Sequence, residues 1–269
     1  MLFQCELLSD ALHTAVRVFV ILPGLKRSPE GKCLPSREQN FPMLTLCHGA
    51  YDNGSCWIRK TNIERYAEEK GLAVVMPSVA NSFYTDARLG EAYFTFVTQE
   101  LPEQVRAIFP LSDKREENFI AGLSMGGYGA MKAALTYPEH YAAGASMSGV
   151  LDIVHRVKES AKEKKPEIDL QGIFLGEGRT LEGTANDLLY LLEMADTAKL
   201  PRLYACCGTS DVLLPESRAF RDKAAEMGIP LAYEEGPGDH EWDFWDRYIR
   251  KILDWMAPGT DSPVNMESR

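Results

Sequence analysis

Gly122-Leu123-Ser124-Met125-Gly126 is a pentapeptide of the G-x-S-x-G form. It follows a short apolar run, Asn118–Ala121, and leads into a helical pattern, Met125–Tyr137, that stops before Pro138. This order predicts a strand, a sharp turn and a helix, with the serine on the turn. Glycines two residues either side of the serine remove the Cβ atoms that would clash in so tight a turn. We therefore identify Ser124 as the candidate nucleophile.

Apolar runs rich in β-branched residues alternate with helical patterns along most of the chain. The predicted strands are Ala15–Leu22, Met43–Cys47, Ala73–Met76, Asn118–Ala121, Ala143–Met147, Arg202–Cys207 and Leu231–Glu234. The predicted helices are Asn62–Lys70, Glu91–Phe109, Met125–Tyr137, Glu216–Met227 and Glu241–Met256. Such alternation indicates an α/β fold whose mostly parallel central sheet carries helices on both faces. No helix pattern follows the first strand directly, so we place that strand in an antiparallel N-terminal hairpin.

The domain organisation follows from where this alternation is interrupted. In a chain of 269 residues we predict a single domain over residues 1–258 and a disordered polar tail over 259–269. Residues 150–200 separate two core strands by far more than an ordinary crossover, and contain a helical pattern near Thr184–Ala195. This insertion is either a lid over the active site or a surface excursion.

Composition restricts the partners and the compartment. A formal charge of -10 predicts a protein that binds neither nucleic acid nor a membrane surface, since both are anionic. The N-terminus has no basic segment followed by an apolar run, so no signal peptide is predicted. Of six cysteines, Cys47, Cys206 and Cys207 fall in predicted buried strands, which is typical of a reducing compartment. We expect a cytoplasmic protein without a metal site, because no close Cys/His spacing occurs.

A serine hydroxyl becomes nucleophilic when an imidazole removes its proton. Five histidines are present, and His240 is the candidate base because it follows the last predicted strand in a glycine-rich loop, Gly236–His240, just before the C-terminal helix. The alternative is that His240 merely caps that helix. His48 ends an earlier strand and is assigned a structural role.

The base in turn needs a carboxylate behind it. Asp211 is the candidate because it lies in the loop after the strand Arg202–Cys207, at the same edge of the sheet as Ser124. Asp239 is the main rival, although a residue adjacent to His240 rarely reaches that ring's Nδ1. Asp187 and Asp196, in the insertion, are further rivals.

An oxyanion formed at Ser124 needs two preorganised donors. The backbone N–H of Met125, at the start of the helix, is one candidate. The other is the N–H of Ala50 in the loop after Met43–Cys47, where Gly49 lets the backbone approach a substrate.

Taken together, these residues resemble the esterase D and tributyrin esterase branch of the α/β-hydrolase superfamily. The resemblance covers roughly residues 15–255 and rests on Leu46-Cys47-His48-Gly49 with Asn53-Gly54 and Trp57, on Asn81–Asp86, on Glu100-Leu101-Pro102, on Gly122–Gly127, on Cys207–Asp211 and on His240–Trp245. It implies the α/β-hydrolase fold, the same three catalytic residues, hydrolysis of short acyl esters through an acyl-enzyme, no cofactor, and assembly into dimers or tetramers.

Four aromatic residues lie near the candidate site in the sequence. We expect Trp57, Tyr84 and Trp242 to contribute to substrate binding together with Gly49, while at least two of the set Trp57, Tyr84, Trp242 and Trp245 belong to the core.

Three functional hypotheses remain open from the sequence. The first is a carboxylesterase for short acyl groups such as acetyl and butyryl, with feruloyl or acetyl-polysaccharide esters and S-formylglutathione as alternative substrates. The second is an acyltransferase, in which an alcohol replaces water. The third is a hydrolase fold that only binds its ligand, against which the complete set Ser124, Asp211 and His240 argues.

Overall fold

A computed structural model describes residues 1–24, 40–87, 90–162, 168–174 and 180–256. In these ranges the strands are β1 (Leu2–Ser9), β2 (Thr14–Ile21), β3 (Met43–Cys47), β4 (Ala73–Pro77), β5 (Asn118–Leu123), β6 (Ala143–Met147), β7 (Arg202–Gly208) and β8 (Leu231–Gly236). They form one sheet in the order β1-β2-β4-β3-β5-β6-β7-β8. β1 pairs antiparallel with β2 and β2 with β4, and the remaining neighbours are parallel.

Helices cover both faces of this sheet. They are α1 (Cys56–Lys60), α2 (Ile63–Lys70), α3 (Tyr93–Thr95), α4 (Leu101–Ile108), α5 (Met125–Thr136), α6 (Ile153–Ser160), α7 (Leu170–Phe174), α8 (Leu188–Met194), α9 (Leu214–Glu226) and α10 (Trp242–Met256). A π-helical turn, Phe96–Glu100, joins α3 to α4 without a break. One apolar core lies between the sheet and α4, α5 and α9, and the other lies between the sheet and α1, α2 and α10. The predicted α/β-hydrolase architecture with its N-terminal hairpin is confirmed.

Strand sequences explain this double burial. Along β2, Val18 and Val20 enter one core while Phe19 and Ile21 enter the other, because successive side chains point to opposite faces. The strand β1 was not predicted individually, since its residues are mostly exposed at the edge of the sheet and lack a buried pattern.

The insertion packs against this framework through its described residues. It contributes α6, α7 and α8, and its residues 163–167 and 175–179 lie outside the described ranges. Asn186 joins it to the core, since its carbonyl accepts from the Tyr128 hydroxyl at 2.8 Å and its Oδ1 accepts from Thr85 Oγ1 at 2.9 Å. The lid role stays a prediction. The predicted tail, residues 259–269, lies outside the described residues.

Two findings concern membrane spans and groups of metal-ligating side chains. Within the described ranges, no helix has the length and apolar character needed to cross a membrane. Nor do any three His, Cys, Asp or Glu side chains of that part of the chain group closely enough to hold a metal ion. The five cysteines it includes are free thiols.

Lys132 is a charged residue buried within α5. Its Nζ donates to Thr85 Oγ1 at 2.8 Å and lies 4.0 Å from the centroid of the Phe94 ring. Burial lowers the pKa of Lys132 to about 7, and the negative charge of Asp86 only partly opposes that effect. The unfolded chain therefore holds this proton up to a higher pH than the folded chain does.

Lys132 should consequently make folding pH-dependent above neutrality. Because the folded-state pKa is depressed, the contribution of Lys132 to wild-type stability should rise with pH above about 7. A Lys132→Met variant lacks this proton, so wild type should gain about 2 kcal/mol relative to it between pH 7 and pH 9. Urea unfolding of both proteins at the two pH values measures the gain. For Lys60→Met, which removes an exposed lysine, the stability difference from wild type should stay nearly the same at the two pH values. If that difference changed equally with pH for both variants, the prediction would be contradicted.

Candidate active site

Ser124 lies on the turn between β5 and α5. Its backbone has a φ of 53°, in the left-handed region that a residue with a side chain rarely adopts. A Cβ on Gly122 would lie 2.3 Å from the carbonyl oxygen of Gly126, and one on Gly126 would lie 2.5 Å from the carbonyl oxygen of Cys47. Both glycines of the pentapeptide are therefore required by close backbone contacts around the serine.

The structure brings His240 and Asp211 to this serine. His240 follows β8, and its Nε2 lies 3.0 Å from Ser124 Oγ. Its Nδ1 lies 3.0 Å from Asp211 Oδ2 and 3.1 Å from Oδ1. The carboxylate is buried, whereas the His240 side chain is 30% exposed and thus open to a substrate. The three side chains meet because β5, β7 and β8 are parallel and end at the same edge of the sheet.

The rival carboxylates occupy other positions. Asp239 Oδ1 accepts from the backbone N–H of His240 at 2.7 Å, so it shapes the loop that carries the ring. Asp187 caps α8 by accepting from the backbone of Leu189 and Tyr190. Asp196 is exposed and pairs with Lys199. None of these three carboxylates is hydrogen-bonded to the His240 ring in the described residues.

The environment of Asp211 favours its ionised form. Burial acts to raise the pKa of Asp211, but hydrogen bonds from His240, from Ser148 and from the backbone N–H of Leu213 outweigh it and hold the pKa below its usual range. The Leu213 bond measures 2.8 Å. Asp211 is therefore a carboxylate at neutral pH, able to accept a hydrogen bond from the Nδ1–H group of His240.

The loop after β3 passes beside the serine. A Cβ on Gly49 would lie only 3.5 Å from Ser124 Cβ. The buried His48 ring fixes this loop, because its Nε2 accepts from the Val79 N–H at 3.0 Å and its Nδ1 lies 2.6 Å from the carbonyl oxygen of Gly49. With Nε2 accepting, Nδ1 carries the proton and donates, and burial lowers the pKa of His48 so that this neutral form persists.

This contact orients the peptide between Gly49 and Ala50. In a trans peptide the C=O and N–H groups point in opposite directions. The Gly49 carbonyl is directed to His48, so the Ala50 N–H is directed away from it. Met125 is the first residue of α5, where backbone N–H groups have no partner within the helix. Both candidate oxyanion donors thus belong to segments next to Ser124.

Two of the three aromatic residues predicted to bind substrate lie in the core instead. Trp57 is fully buried, and its Nε1 donates to the carbonyl oxygen of Cys47 at 3.2 Å. Tyr84 is 1% exposed, and its hydroxyl donates to the carbonyl oxygen of His48 at 3.0 Å. Both side chains therefore hold the backbone at the end of β3 and the start of the following loop through hydrogen bonds to its carbonyl groups. Trp242 is half-buried at the start of α10, edge-on to Trp57 at 5.5 Å, so it alone of the three stays a candidate for substrate contact.

Sequence reasoning missed the side chains that surround Asp211. Ser148 reads as an ordinary polar residue after a strand, but its hydroxyl contacts Asp211 and accepts from Trp245 Nε1 at 3.1 Å. The Cys207 thiol also contacts both Ser148 and Asp211. No local signal marks these contacts, because they depend on β6 lying beside β7.

Comparison with known proteins places these features in context. The family model described as putative esterase matches residues 9–256. An acetyl esterase of Caldicellulosiruptor saccharolyticus is 33% identical over 267 residues, covering 97% of this chain and 99% of that protein. An S-formylglutathione hydrolase of Paracoccus denitrificans is 32% identical over 246 residues, covering 82% of this chain and 84% of that protein. The solved structure of the fluorophosphonate-binding serine hydrolase F of Staphylococcus aureus, with substrate bound, is 32% identical with a TM-score of 0.85, covering 96% of this chain and 98% of that one.

Proposed function

The chain belongs to the putative esterase family and is a carboxylic ester hydrolase. From that premise we propose that it cleaves short-chain acyl esters through an acyl-enzyme formed on Ser124. The observation that carries the proposal is the line of hydrogen bonds from Ser124 Oγ through the His240 ring to Asp211, with 3.0 Å at each junction. Water is the acceptor that completes the reaction.

In the first step His240 acts as the general base. Its Nε2 takes the proton of Ser124 Oγ while that oxygen forms a bond to the ester carbonyl carbon, and the carbonyl π electrons move onto the oxygen. Asp211 accepts a hydrogen bond from Nδ1–H, which keeps the ring in the required tautomer and stabilises the imidazolium. The backbone N–H groups of Met125 and Ala50 donate to the oxyanion.

Collapse of this intermediate releases the alcohol. The carbonyl re-forms, the bond to the alcohol oxygen breaks, and His240 Nε2 gives its proton to that oxygen. Water then enters, loses a proton to His240 and attacks the acyl carbon. The second intermediate expels Ser124 Oγ, which recovers the proton, and the carboxylic acid departs.

The acyl preference is supported by the nearly full-length likeness to an acetyl esterase. A second candidate substrate is a glutathione thioester, since the S-formylglutathione hydrolase of Paracoccus denitrificans is of similar identity over 82% of this chain. Both substrates carry a small acyl group, so either one needs a pocket for a small acyl group. They differ in the leaving group.

A substrate series tests this proposal. We expect kcat/KM to be highest for p-nitrophenyl acetate or butyrate and at least about tenfold lower for the octanoate, because extra methylenes exceed a small acyl pocket. Methyl ferulate and S-formylglutathione, assayed in parallel, test the alternative acyl and leaving groups. The Ser124→Ala protein supplies the uncatalysed background for each ester. A preference for octanoate would overturn the short-chain assignment.

A further inference from the structure

Ser148 follows β6 and is held in an unfavourable backbone conformation. It is fully buried, and its φ of 48° lies in the left-handed region. Its N–H donates to the carbonyl oxygen of Cys206 at 2.7 Å, which fixes the residue against β7. A non-glycine residue kept in this region, next to a candidate catalytic carboxylate, suggests that its side chain is needed there.

The direction of the hydrogen bond between the Ser148 hydroxyl and the Trp245 indole is fixed. Trp245 Nε1 can only donate, so Ser148 Oγ accepts this bond of 3.1 Å. The hydroxyl hydrogen remains available to donate to Asp211, and the Ser148 hydroxyl is among the groups that lower the pKa of this carboxyl. The same Trp245 ring lies edge-on to the His240 ring, with 4.9 Å between centroids. Trp245 thus contacts His240 and also orients Ser148.

We propose that Ser148 is a positioning residue for catalysis, which donates a hydrogen bond to Asp211 and is itself oriented by Trp245, so that the carboxylate stays aimed at His240 Nδ1. This inference rests on the proposed role of Asp211 and extends it to two residues outside the triad. The Ser148 side chain is fully buried and hydrogen-bonds Trp245 rather than Ser124, so in this proposal it acts through Asp211.

The other neighbours of Asp211 do not replace this contact. The titratable groups that face it are His240, the Cys207 thiol on β7 and Glu216 on α9. Burial raises the pKa of Cys207 to about 12, so the thiol is neutral, and a thiol is a weak donor. Glu216 is paired with Arg156, at 2.5 Å, and not with Asp211. Apart from the backbone N–H of Leu213, which donates to Asp211 Oδ1 at 2.8 Å, Ser148 is therefore the neutral donor beside Asp211 in the described residues.

Ser148→Gly separates a positioning role from a structural one, because glycine tolerates the left-handed backbone. We expect kcat for p-nitrophenyl acetate to fall at least about tenfold, as a hydrogen bond to a charged group is lost, while KM changes less than about twofold. Ser148→Ala should lose as much, and Trp245→Phe, which retains an aromatic ring beside His240, should lose less. A cooperative urea transition shows that each variant is folded. Wild-type kcat in a folded Ser148→Gly protein would overturn the proposal.

A double-mutant cycle with Asp211→Asn shows whether Ser148 acts through the carboxylate. We expect Ser148→Gly to change the rate of fluorophosphonate labelling by less than about twofold when Asp211 is already asparagine, since coupled residues are not additive. A full tenfold loss in that background would show that Ser148 acts elsewhere. If Asp211→Asn alone retained activity, the proposed triad would fail. If only Ser148→Gly retained activity, the triad would stand and this inference would fail.

Discussion

Replacing Ser124 by alanine is expected to lower kcat by about 10⁵-fold or more while the protein remains folded. Alanine removes the oxygen that lies 3.0 Å from His240 Nε2, and no other serine hydroxyl is hydrogen-bonded to that nitrogen in the described residues. The oxyanion donors remain, but without a nucleophile they stabilise only a slow direct attack by water. Hydrolysis of p-nitrophenyl acetate measures the loss, and urea unfolding measures the stability.

The matched control for this variant is Ser146→Ala. Ser146 lies on the neighbouring strand β6, is fully buried, and its hydroxyl has no hydrogen-bond partner among the described residues. Removal of an unpartnered hydroxyl should cost little stability and leave kcat near the wild-type value. A fluorophosphonate probe should label wild type and Ser146→Ala but not Ser124→Ala. Labelling of Ser124→Ala, or turnover by it, would reject Ser124 as the nucleophile, and an unlabelled wild type would favour a protein that only binds its ligand.

Replacing Asp211 by asparagine is expected to lower kcat about 10⁴-fold. The amide has nearly the shape of the carboxylate, but it carries no charge to stabilise the imidazolium. Its NH₂ group can donate to His240 Nδ1, which would place the ring proton on Nε2 and prevent that nitrogen from accepting the serine proton. Because Asp211 is ionised at neutral pH, the loss should be present throughout the neutral range.

Asp239→Asn is the control for this second prediction. Asp239 adjoins His240 in the sequence but accepts from its backbone N–H at 2.7 Å rather than from its ring. An asparagine side chain also accepts this bond, so we expect kcat within about threefold of wild type. A larger loss in Asp239→Asn than in Asp211→Asn would reverse the assignment of the acid.

The fold was largely predictable because its evidence is local in the sequence. Each buried strand reads as a short apolar run, and the patterns near α2, α5, α9 and α10 lie within a few residues of the observed helices. The exception is β1, whose exposed residues carry no burial pattern. In the insertion, the pattern near Thr184–Ala195 corresponds to α8, while the short helix α7 was not predicted.

The approach of Ser124, Asp211 and His240 was also predictable, for a topological reason. Each follows a strand of a parallel sheet, and parallel strands end at one edge, so chain order alone brings the three loops together. The sequence could not distinguish aromatic residues that line a pocket from those that support one. Trp57 and Tyr84 are both close to the site in the chain, yet their side chains point into the core.

By itself, then, the sequence determined the nature of the elements and which loops share the edge of the sheet, because periodicity and chain order carry that information. Only the tertiary structure decided how the acid is held, through Ser148 and Trp245, residues 97 positions apart. Their contact arises from the pairing of β6 with β7 and the packing of α10 beneath them, and such long-range packing leaves no trace in a local pattern.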